Sequence, residues 1–101
     1  MSDEEILVKV DRRLAELVPK FLERCRQTVT ELREAVETRN LELARRIGHS
    51  LLGTGSSYGF DEMGLLGREI ERAAREGDVD ALRELAERLD SHLARVRPVF
   101  D

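Results

Sequence analysis

Apolar residues recur at helical spacing along almost the whole chain, and glycine, proline and asparagine divide it into segments. No alternating strand pattern stands out. The first segment, about residues 3–17, carries Ile6, Val10, Leu14 and Leu17 as apolar points and predicts a short helix. Pro19 then suits the first turn of a new helix, where a missing N–H leaves nothing unpaired. That helix runs to about Glu37, with Phe21, Cys25, Thr28, Val29, Leu32 and Val36 along one side. Asn40 is placed to cap a third helix, Leu41 to about Tyr58, which Gly59 ends in a left-handed conformation. Asp61 is expected to cap a fourth helix from Glu62 to about Glu76. Gly77 closes it, and Asp78 caps a last helix from Val79 to about Val96, stopped by Pro98. Loops this short predict antiparallel neighbours. The expected fold is all-α: an up-down four-helix bundle with a short additional N-terminal helix. It is a single domain over 1–101, with no internal repeat and no low-complexity segment.

Composition narrows the functional classes. Only three Phe, one Tyr and no Trp are present, too few for a platform that stacks bases. The net charge is −4, and no block of Lys/Arg stands alone, so nucleic acid is a poor partner. Cys25 is the sole cysteine. It can form no intramolecular disulfide, which fits a reducing, cytoplasmic setting. Its place in an apolar stripe makes it a buried small hydrophobe rather than a reactive thiol. The N-terminus is acidic and polar, unlike a secretory signal. No apolar run approaches the ~20 residues that span a bilayer.

The chemistry concentrates in the third helix. At about 100° per residue, Leu41, Ala44, Ile47, Gly48, Leu51, Gly55 and Tyr58 gather on the core half. His49 projects nearly opposite, on an outer side shared with Glu42, Arg45, Arg46, Gly53 and Ser56, with Leu52 on the flank. Glycine inside a helix costs about 1 kcal/mol relative to alanine, so each one here needs a reason. Gly48 and Gly55 face the core, where they allow close packing. Gly53 removes a side chain beside the imidazole and leaves room for another protein to approach.

The run His49-Ser50-Leu51-Leu52-Gly53-Thr54-Gly55-Ser56-Ser57-Tyr58-Gly59-Phe60 resembles the signature of histidine-phosphotransfer (HPt) domains at all but one position. Arg45-Arg46-Ile47-Gly48 before the histidine and the Gly77-Asp78 break are similar too, as in stand-alone bacterial members. The resemblance covers roughly residues 10–98. It implies that His49 accepts a phosphoryl group from a receiver aspartate and passes it to another receiver, as a carrier without turnover. It implies response-regulator receivers as partners, with a hybrid histidine kinase as a further candidate, and a monomer. No cofactor belongs to the chain itself, because the receiver supplies Mg²⁺.

The departure is Leu52, where the family usually has a lysine that neutralises the phosphoryl oxygens. Arg45 and Arg46, one turn away, can bend toward the phosphate. Arg68, Glu71 and Arg75 share a face of the next helix, at the part that lies beside the histidine in the family. There Glu71 can orient the unreactive ring nitrogen and Arg75 can offset the missing lysine. The alternative is that these charges form an ordinary solvated face. Leu52 itself reads either as an apolar docking contact or as a sign of inefficient transfer. It keeps open a rival reading, a docking module that binds receivers or other partners without efficient phosphotransfer. A helical metal-dependent hydrolase would need clustered His, Asp or Glu facing the bundle interior, and the sequence offers no such cluster. His92, in phase with Leu85, Leu89 and Val96, reads as a structural histidine rather than a second phosphosite. Ser56 and Ser57 have no triad partner that would make them nucleophiles.

Overall fold

The computed structural model describes residues 4–101. Four helices form the body: α1 (Val18–Glu37), α2 (Leu41–Tyr58), α3 (Asp61–Glu76) and α4 (Val79–Arg95). Each packs on the next, and α4 returns to α1, closing the ring. The bundle expected from the sequence is therefore present.

The helix boundaries follow from local chemistry. Pro19 lies in the first turn of α1. Asn40 accepts the Leu43 N–H and caps α2, and Asp78 accepts the Ala81 N–H and caps α4. Gly59 (φ 86°) and Gly77 (φ 69°) end α2 and α3 in the left-handed region, which a residue with a Cβ rarely adopts. Asp61 is not the cap of α3. Phe60 holds that position without a side-chain bond, and Asp61 is the first helical residue. The reason is the burial of Phe60, which is almost fully enclosed and whose N–H donates to the Gly55 carbonyl. Asp61 and Glu62 instead place negative charge in the first turn, where the helix dipole favours it.

The chain ends depart from the all-helical expectation. The predicted N-terminal helix is absent among the described residues, and position 3 of its span lies outside them. In its place stand strand β1 (Ile6–Val10) and a 3-10 turn, Arg12–Leu14. The last helix ends at Arg95 with Val96 as its C-cap, close to the expected end, but Pro98 is not what stops it: Val96–Phe100 continue as strand β2. The two strands pair in parallel, Ile6 with Val96 through Val10 with Phe100. Ile6, Val8 and Val10 turn inward, while Leu7 and Lys9 are exposed. Pro98 fits because both members of a two-stranded sheet are edge strands, where a missing N–H is tolerated. Leu17, taken as an apolar point of the N-terminal helix, is half exposed.

The core runs the length of the bundle. Leu32, Phe60, Met63, Ile70, Leu82 and Leu89 are fully enclosed. Phe21 stacks on Tyr58 at 4.6 Å between ring centroids and tilts against Phe60 at 5.4 Å. Thus the aromatic pair at the end of α2 is locked to α1.

Candidate functional site

The contact between α2 and α3 is made by backbone. A Cβ added to Gly48 would lie 2.5 Å from the Glu71 nitrogen and 2.6 Å from the Gly67 oxygen. One added to Gly67 would lie 2.6 Å from the Leu52 nitrogen, and one on Gly55 would lie 2.8 Å from the Gly64 nitrogen. Glycines thus meet from both helices, and no larger residue fits without moving the backbone. Gly64 and Gly67 were not recognised in the sequence. Their signal was available: two glycines three apart inside a helix lower its stability unless packing requires them.

This close approach delivers Glu71 to the histidine. Its backbone abuts Gly48, so its side chain rises beside the next residue, His49. The Glu71 carboxylate is buried, with a side chain only 9% exposed. Its Oε2 lies 3.2 Å from His49 Nδ1 and 2.9 Å from an Arg75 guanidinium nitrogen. A carboxylate so placed accepts from both, which calls for a proton on Nδ1, and in the neutral ring this leaves the lone pair on Nε2. The His49 side chain remains 72% exposed. Next to it, a Cβ on Gly53 would meet nothing within 4 Å.

The remaining site residues separate. Arg45 pairs with Glu42 at 2.7 Å, and Arg46 Nε is 4.0 Å from the same carboxylate. Both arginines are thus engaged one turn before the histidine. The bond from Arg45 holds the Glu42 carboxyl below the usual carboxylate range. Arg46 also lines a groove between α1 and α2 with Phe21, Cys25 and Ile47. Leu52 is half-buried, its backbone against Gly67. Arg68 is exposed and makes no ion pair among the described residues. His49, Glu71 and Arg75 are therefore the residues brought into one bonded group, with Gly53 open beside them.

No cluster of three His, Cys, Asp or Glu suited to a metal occurs among the described residues. No helix among them is long and apolar enough to cross a membrane. A family model for the Hpt domain matches residues 16–98. Comparison with curated proteins and with solved structures returns no match.

Proposed function

The chain belongs to the Hpt domain family, and from that premise we propose that it carries a phosphoryl group on His49 Nε2 between receiver aspartates of a phosphorelay. Domains of this family take part in phosphotransfer in two-component signalling, as carriers rather than turnover enzymes, and interact with receivers and kinases. The observation that carries the reading is an exposed imidazole whose Nδ1 is tied to a buried carboxylate.

In the forward step, the Nε2 lone pair attacks the phosphorus of a receiver's aspartyl phosphate. The N–P bond forms as the P–O bond to aspartate breaks, and its electron pair leaves with the receiver carboxylate. The ring then carries positive charge. Glu71 offsets that charge through the Nδ1–H bond, and Arg75 donates to the same carboxylate oxygen. In the return step, the carboxylate oxygen of the next receiver attacks phosphorus, and the N–P pair returns to Nε2. Such transfers depend on positioning and on cations around the equatorial oxygens. Among this chain's cations, Arg75 is joined to the ring through Glu71. The Mg²⁺ belongs to the receiver in this scheme, and a cytoplasmic setting with its receivers follows.

Incubation with a phosphorylated receiver and Mg²⁺ tests the proposal. Acid-labile, base-stable label is expected on the wild type and is lost in His49→Ala. A second reading, a docking module without transfer, is favoured by Leu52. Binding of receivers with no label on the wild type would decide for it.

A further inference from the structure

A second polar cleft lies on the far side of α3. Glu62 and Leu66 project from α3 roughly opposite to Glu71. With Arg88, Ser91, His92 and Arg95 of α4, they line a cleft of about 260 Å³, which Ile6 of β1 also borders. His92 is 4% exposed. Its Nε2 and the Nε of Arg95 are buried, and neither has a hydrogen-bond partner among the described residues. Buried polar groups are nearly always paired, so these two take a partner from whatever fills the cleft.

The chemistry of the lining selects the occupant. Arg95 Nε–H can only donate. Burial pushes His92 toward its neutral form, which offers one N–H. Arg88, His92 and Arg95 follow at helical spacing on one face of α4. Arg88 is held loosely, 3.6 Å from Glu69. The lining also holds one carboxylate, Glu62, so what selects the occupant is the unmet donors on His92 and Arg95, which call for an oxygen acceptor.

We propose that this cleft binds a small oxyanion, a carboxylate or a phosphate, through Arg95 and Arg88, with His92 Nε2 donating to it. Recognition is then charge-assisted and bidentate-capable on the arginine side. Leu66 and Ile6 shape the space for a short carbon portion. The site is separate from His49, so it does not depend on the phosphocarrier reading.

Heteronuclear NMR titration of the full chain with inorganic phosphate, and separately with succinate, tests this. The His92 ring and the Ser91 and Leu66 amides should shift saturably with at least one of the two. Response to phosphate alone marks a phosphate-bearing ligand, and response to succinate alone a carboxylate. Arg95→Gln should weaken binding at least tenfold, and His49→Ala should leave it unchanged. Should Arg95→Gln fail to fold, Arg88→Gln, altered at an exposed side chain, should weaken binding severalfold. Shifts confined to His49 and Arg75, loss of binding in His49→Ala, or a cleft that holds water and answers neither anion would overturn the proposal.

Discussion

Glu71 is enclosed, while the two side chains it joins are open to solvent. That inversion makes the carboxylate the fixed point of the group: Arg75 and His49 are held by it, not the reverse. A charge-assisted hydrogen bond contributes about 1.5–3 kcal/mol, equivalent to roughly 10- to 100-fold in rate. Glu71→Gln keeps the shape and removes the charge. It should slow transfer from a receiver by about that factor, and nitrogen NMR of the His49 ring should show both neutral tautomers. An unchanged rate with an unchanged tautomer would reduce Glu71 to an ordinary ion pair. Leu52→Lys supplies a cation on the flank of the imidazole, and the phosphorylated form should hydrolyse more slowly. If its half-life and the transfer rate stay as they were, charge is not limiting at that position. The outward phase of His49 and the shared face of Arg68, Glu71 and Arg75 were legible because helical geometry fixes both. The capture of Arg45 by Glu42 was not. Several acceptors and free solvent lie within reach of a long guanidinium arm, and spacing alone does not choose among them.

At the scale of the helix pair, the glycines divide into two kinds. Gly53 faces open space, whereas Gly48 and Gly67 face backbone. Gly53→Ala should raise stability by about 1 kcal/mol, or roughly 4–8 °C in the thermal midpoint. If the opening serves docking, it should also slow transfer. Gly48→Ala should lower stability by about 1–3 kcal/mol or more, since the backbone must shift to admit a methyl group. Calorimetry of both variants checks the contrast, and equal effects would contradict it. The three short loops between the helices and their caps were readable from Asn40, Gly59, Gly77 and Asp78, each of which has a local task. The N-terminal strand was not. Ile6 and Val10 are four apart, a separation common to a helix face and a strand face. Val8 lies on that same inward face, but what selects the strand is β2, ninety residues downstream in register.

Across the whole molecule, one core joins all four helices, and Cys25 lies in it, with its sulfur 3.4 Å from that of Met63. Burial pushes the Cys25 thiol up from an ordinary value of 9.0 to about 11. In the unfolded chain the thiol ionises first, so the unfolded state holds fewer protons between these values. Stability should therefore be intact below about pH 9 and fall as pH rises toward 11. Denaturant midpoints measured across this range should show the decline in the wild type and lack that component in Cys25→Ala. The strands add a second tie at this scale, joining a segment before α1 to one after α4. Glu5 and Arg97 reinforce that tie with an ion pair.

The backbone contact at Gly48, Gly67, Gly55 and Gly64 has a consequence for fluctuation. Helices pressed together at this distance admit no water between them, so their amides lose protection only when the pair separates. Separation exposes the core that all four helices share, and it therefore belongs to the largest opening the molecule undergoes. His49 stands on that pair. A side chain freely exposed to solvent is thus mounted on a helix pair whose amides should be among the slowest to exchange, and each arriving protein meets the same imidazole in the same orientation.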